Sequence, residues 1–428
     1  MKSLLSRKNM VLLLLVLAMF LTGCQKSPDN NIVIPNNQLK NNLSESQISL
    51  FDQLILDDRW EETLFLSGSK KPLIFNAKIS VPDINKAPVY KIEERFFNED
   101  IIMPFIKQLL GESPIYKRSN PTKKECEEAM LLAMQNNDYE SEKMFASMIE
   151  TAPEEKNTEV VDFSALPNAI NGTFEKNGRN GYISVEKDFF DYSEGLIITQ
   201  HVLEINDMGT IPKLSMTEKI AQNEIDSLMS ILNLEYMSIH SIEKAKCLDY
   251  TDNLYYQYNE DSYQFGYYVT LVRNIDGIPG IKDGTVIYNV DDQFAYTAPL
   301  YPEEARLFIS ENGEIRSFCY TNPKILTEKL YDNVELMSFE KIKDISKNML
   351  NYINAYDAEE IIVTDISLKM AIVNMNDELL YVPSWFFVYT RQYEDYEQEY
   401  TLVLNAIDGG RVLELPVPEY SEMEFTLS

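Results

Sequence analysis

The chain has 428 residues, 45% hydrophobic and 25% charged, which is enough apolar matter for two or three domains with cores of their own. Its formal net charge of −30 excludes a nucleic-acid binder, whose affinity rests on neutralised phosphates, and excludes broad docking on anionic headgroups. Solubility accounts for such a charge, with cationic partners and bound metal ions left open.

Lys2, Arg7 and Lys8 precede the apolar run Val11 to Phe20, and Leu21-Thr22-Gly23-Cys24 follows. A basic n-region, a short apolar h-region and a small-residue cleavage site make a secretory leader. The apolar run is too short for a comfortable bilayer span, which argues against an uncleaved anchor. Leu-Thr-Gly-Cys resembles the lipobox cut by bacterial lipoprotein signal peptidase. It implies cleavage between Gly23 and Cys24, and acylation of Cys24 with palmitate-type chains. The protein is then expected on the outer, extracytoplasmic face of the cell membrane, with the acyl chains as its membrane contact. Residues 1–23 are thus read as leader. Residues 24–50, rich in Asn, Gln, Ser, Pro and Lys, are read as a solvated tether.

Residues 51–210 read as an N-terminal domain of mixed α and β character. Ile74 to Val81 and Val89 to Ile92 predict short strands bounded by Pro82 and Pro88. Phe96 to Leu110 predicts a helix with a kink at Pro104. Thr122 to Gln135 predicts another, with Met130, Leu131 and Met134 as its apolar face. Gly181 to Val185 and Leu196 to Ile205 predict strands.

Two further modules, 211–335 and 336–428, show a loose duplication. Ser215 and Glu218 form a capping box, and Ala221, Ile225, Leu228 and Leu232 then recur on one helical face. Ser338 opens a second helix with Ile342, Ile345, Met349 and Ile353 on one face. Aromatic and β-branched strands follow each helix, Phe265 to Arg273 in the first copy, Pro383 to Thr390 and Tyr400 onward in the second. Asn312-Gly313 is placed for a type I′ hairpin turn. The expected fold class is α+β, a helix on an antiparallel sheet used twice behind the N-terminal domain.

The ordered segments Arg273 to Pro279, Phe339 to Ile342, Val382-Pro383-Ser384-Trp385 and Asn405 to Gly409 resemble the tandem PepSY-like modules of extracytoplasmic proteins in Gram-positive bacteria. Similar proteins include the YycH/YycI-type regulators of a cell-wall sensor kinase and a group of clostridial-type lipoproteins. The resemblance covers about half the chain and implies a regulatory, non-catalytic role at the envelope. It supplies no catalytic residue and no cofactor. Those regulators hold an N-terminal transmembrane helix where this chain has a lipobox, so contact with a kinase inside the membrane is not expected.

Signatures of chemistry are sparse. His201 and His240 stand alone, without the His-Glu-x-x-His pair of zinc peptidases. A Gly-x-Ser-x-Gly elbow and a Gly-rich phosphate loop are both missing. Asp57-Asp58, Asp291-Asp292 and Glu394, Asp395, Glu397 and Glu399 are acidic clusters without calcium-loop spacing. Asp276-Gly277 and Asp408-Gly409 read as turns rather than ligand contacts, and Trp385 as a core residue rather than a binding platform. Three cysteines follow Cys24, and a Cys247–Cys319 disulfide competes with buried thiols. The expected function is binding of an envelope protein or ligand. A solute-binding lipoprotein of a transporter is the alternative, ahead of an envelope hydrolase.

Overall fold

A computed structural model of the chain describes residues 43–54, 56–65, 71–166, 168–194, 214, 218–234, 236–248, 263–282, 296–298, 301–354, 359–375, 378–394 and 396–414. A one-turn helix α1 (Leu50–Gln53) precedes β1 (Arg59–Phe65), β2 (Pro72–Ser80) and β3 (Val89–Glu94). Next come α2 (Glu99–Leu110), β4 (Tyr116–Lys117) and the helix pair α3 (Lys123–Gln135) and α4 (Tyr139–Ile149). A meander of β5 (Ile170–Lys176), β6 (Arg179–Val185) and β7 (Phe189–Glu194) leads to α5 (Glu218–Ile231), β8 (Met237–Leu248), β9 (Tyr263–Ile275) and β10 (Ile278–Pro279). After β11 (Tyr296–Ala298) come β12 (Glu304–Ser310), β13 (Ile315–Thr321) and β14 (Lys324–Tyr331). The last elements are α6 (Phe339–Asn354), β15 (Glu360–Met375), β16 (Glu378–Gln392), β17 (Glu397–Asn405) and β18 (Arg411–Glu414).

Strands dominate, helices are few, and the described strands form two sheets of nine. The first runs β1-β2-β15-β16-β17-β18-β11, with β3 pairing both β14 and β16. The second runs β10-β9-β12-β13-β7-β6-β5-β4, with β8 on β9. Residues 51–210 therefore contribute to both: β1–β3 join the first sheet and β4–β7 the second. The joint is β2 on β15, a parallel pair with Leu73 opposite Ile361. Residues 43–50, read from composition as the end of the tether, lie on the body. Leu50 is sealed from solvent, and Asn333 Nδ2 donates to the Ser46 and Ile48 carbonyls at 3.2 and 2.8 Å.

Each sheet buries one face under helix. In the first, Ile342 and Met349 of α6 pack with Phe75, Trp385 and Leu404. In the second, Ala221, Ile225, Leu228 and Leu232 pack with Phe105 of α2 and with Val269, Leu271 and Phe318. The 3.6-residue stripe of α5 thus faces the core as its spacing predicts, each large side chain contributing about 1.5–3 kcal/mol. A smaller cluster of Ile92, Ile275, Ile278, Met370, Ile372 and Tyr381 joins strands of the two sheets.

Several expectations change. α3 buries Cys126, Ala129 and Ala133, whereas Leu131 and Met134 are about half exposed. Small residues let Phe145 of α4 approach closely, and Met130 of the expected face packs beside them. At the β12–β13 turn Gly313 has φ 84° while Asn312 does not enter positive φ, so the turn is type I with a left-handed glycine, not type I′. Positive φ at both Asp276 and Gly277 gives the β9–β10 hairpin the type I′ geometry instead. Cys247 on β8 and Cys319 on β13 are separated by β9 and β12, a gap of roughly 14 Å, twice what a disulfide spans. Leu196 to Ile205 with His201, Asp291-Asp292, and Ser215 of the capping box lie outside the described residues, as do Gly23 and Cys24.

Candidate functional site

The C-terminus of α5 and the first half of α2 frame the site. Helix α5 ends in a Schellman motif: Leu234 N donates to Met229 O at 2.7 Å, and Asn233 N to Ser230 O at 3.3 Å. Asn233 takes φ 52° to close it. Helix α2 starts at Asn98, whose side chain accepts from Ile101 N at 3.0 Å. Just upstream, Arg95 N donates to Pro323 O at 2.9 Å. Pro104 lies within α2 and supplies no N–H to the Asp100 carbonyl four residues earlier.

Between these elements is a cavity of about 150 Å³. Its polar lining comes from Arg95, Asp100, Asn233, Tyr236 and Tyr320. Ile101, Pro104, Phe105, Leu232, Leu234 and Pro323 supply the apolar wall.

Beneath it runs a buried chain of hydrogen bonds. Tyr236 and Tyr320 hydroxyls are 2.8 Å apart. Tyr320 Oη donates to Glu303 Oε1 at 2.6 Å, and Arg273 Nη1 donates to Glu303 Oε2 at 3.0 Å. Arg273 also stacks over the Tyr236 ring, 4.2 Å from its centroid. Glu303 is 1% exposed and Tyr320 1%, so the bond between them is shielded from solvent. Burial pushes the Glu303 carboxyl above its usual range, opposed by Arg273 and by the bond from Tyr320. Burial and the Glu303 charge together raise Tyr236 above the phenol's ordinary range and Tyr320 well above it. Lys324, 3% exposed, falls to about 8 because burial outweighs the attraction of Glu303, Glu94 and Asp188. Its Nζ donates to Asn322 O at 2.8 Å.

Two tyrosines held by one carboxyl that accepts from Arg273 make a fixed polar floor. A carboxylate salt-bridged to arginine only accepts, so Tyr320 donates to it, and Tyr236 in turn donates to Tyr320. The arrangement fixes Tyr236 and Tyr320 beside a cavity whose lining also includes the Asp100 carboxylate.

The residues singled out from sequence lie elsewhere. Trp385 is wholly buried, its ring 4.6 Å from Phe339, which places it in the core. Asp276 accepts from Tyr90 Oη at 2.8 Å and Lys329 Nζ at 2.7 Å, and Asp408 accepts from Gly410 N at 2.9 Å. Both aspartates are therefore engaged by their own surroundings. His240 is exposed on β8, and Glu394, Glu397 and Glu399 line an exposed hairpin tip. Sequence reasoning missed Arg95, Asp100, Tyr236, Glu303 and Tyr320. One signal was available: Arg273 closes an apolar strand and Glu303 opens another, and charge in such places marks a buried pair.

No family model matches the chain, and comparison with curated proteins finds no match. Among solved structures the chain is similar to an uncharacterized protein from Eubacterium rectale ATCC 33656. Identity is 11%, with 85% of this chain and 95% of that one covered, at a TM-score of 0.48. It is also similar to the Bacillus megaterium YpeB C-terminal domain, at 10% identity over 74% of this chain and 96% of that one, with a TM-score of 0.28. Similarity at this level carries no functional assignment.

Proposed function

We propose that the protein is a lipid-anchored, extracytoplasmic binding protein of the cell envelope, without a catalytic step of its own. The observation that carries this is Leu21-Thr22-Gly23-Cys24 behind a basic and then apolar leader. The acyl chains on Cys24 localise it on the outer face of the membrane. The body begins by Leu43, where residues 43–50 dock, so the intervening residues give a reach of at most about 65 Å.

A tandem PepSY-like organisation draws support from strand order. One helix, α5, precedes the antiparallel run β8-β9-β12-β13, and another, α6, precedes β15-β16-β17-β18. The first strand of each run carries a bulge, between Ile239 and Ser241 and between Val363 and Asp365. By analogy with kinase regulators, the partner is a membrane or wall protein whose activity or assembly is regulated. A second reading, a solute-binding lipoprotein, rests on the cavity between α2 and α5. Crosslinking on intact cells followed by recovery of the protein tests the first reading. A specific membrane or wall protein should be recovered, and external protease should digest the body. Protection from protease, or recovery of nothing specific, would contradict it.

A further inference from the structure

Hydrogen-bond direction decides what the cavity presents. Glu303, paired with Arg273, accepts from Tyr320; Tyr320 has then spent its proton and must accept from Tyr236 at 2.8 Å. Tyr236 has therefore also spent its proton, and only an oxygen lone pair remains at the cavity. The floor is an acceptor. Asp100 adds an exposed carboxylate to the lining. One lining group has the opposite sign, Arg95, half-buried and positive. Among the described residues the Arg95 guanidinium and the Asp100 carboxylate have no ion-pair partner, not even each other. A protein so acidic would ordinarily neutralise a half-buried arginine from within; here the cation and two acceptors are left across one small space.

We infer that this cavity binds a small zwitterion, a free α-amino acid with a short aliphatic side chain. Its carboxylate lies on the Arg95 guanidinium, which suits a planar two-oxygen partner. Its ammonium lies between Tyr236 Oη and the Asp100 carboxylate, and its side chain meets Ile101, Pro104 and Leu234. The volume, about 150 Å³, is that of a cavity able to take a six-membered ring. This rests on the second reading above, a solute-binding lipoprotein, and assigns it a ligand class.

Calorimetric titration of the full protein, purified from membranes in detergent, tests the inference with L-alanine, L-serine and L-proline as probes. Acetate and ethylammonium serve as the two half-ligands. At least one amino acid should saturate, with each half-ligand weaker by about tenfold or more. Arg95→Gln and Asp100→Asn should each weaken amino-acid binding about tenfold, with thermal unfolding unchanged because both side chains lie at the rim. Acetate binding as tightly as the amino acid would reduce the site to an anion site and overturn the inference. So would the lack of saturable heat up to about 20 mM, or binding indifferent to both substitutions. Such a failure leaves membrane anchoring, which is read from Cys24 itself, standing or falling on its own.

Discussion

Arg273 Nη1 donates to Glu303 Oε2 at 3.0 Å with both side chains almost sealed from water. The pair joins the end of β9 to the start of β12, and the Lys324 carbonyl accepts from the same guanidinium nitrogen at 3.4 Å. Removing one partner strands a buried charge. Glu303→Gln should therefore cost about 3–5 kcal/mol, read as a lower urea midpoint. Replacing both residues by Met and Leu should recover much of that loss, since two desolvated charges disappear together.

The surface pair Lys329–Asp276 provides the contrast. It spans from β14 to the β9–β10 turn at 2.7 Å, but the side chains are 36% and 46% exposed. Asn also tolerates the positive φ of position 276. Asp276→Asn should shift stability by less than about 1 kcal/mol, measured by the same denaturation.

Lys324 sets a pH dependence. Its folded-state value, about 8, lies below that of an unfolded lysine. Between the two values the unfolded chain binds more protons, so the native state gains stability as pH rises. Below about 8 the cost of the buried ammonium is present in full. Lys324→Met should therefore raise stability at pH 7 relative to the parent, by an order-of-magnitude 3 kcal/mol, and the difference should shrink towards pH 10. Urea midpoints of parent and variant across that range check the sign. A constant difference would contradict it.

Two glycines separate space from backbone strain. A Cβ on Gly266 would lie 2.0 Å from the Ile309 carbonyl oxygen, so Gly266→Ala must push β9 from β12. A loss of about 3 kcal/mol or more is expected. Gly178 has φ 74° with nothing within 4 Å, so Gly178→Ala should cost only about 1 kcal/mol. Thermal unfolding of the two variants should show that order.

Local pattern was readable where one residue's neighbours in sequence are also its neighbours in space. The stripe Ala221, Ile225, Leu228 and Leu232 faces the core as read, and Asp276-Gly277 is the turn its composition demands. Two misreadings share a cause. Hydrophobicity picks Met130, Leu131 and Met134 as the face of α3, but the close helix pair is built on Ala129 and Ala133, with Met130 alone of the three beside them. Asn312-Gly313 reads as a two-residue turn, but Ser310 N bonds to Glu314 O at 2.9 Å and lengthens the loop. The parallel pairing of β2 with β15 joins segments almost at opposite ends of the chain, and no local pattern encodes such a contact. The candidate site is illegible for the same reason. Arg95, Asp100, Tyr236, Glu303 and Tyr320 come from four separate parts of the chain, and each by itself is an ordinary polar residue.

Mass spectrometry of the N-terminal peptide, from protein extracted with the membrane fraction, tests the central claim most directly. The account predicts a peptide beginning at Cys24 and carrying a diacylglycerol thioether, lost in Cys24→Ala. A peptide beginning at Met1, or an unmodified Cys24 in protein still bound to the membrane, would contradict it.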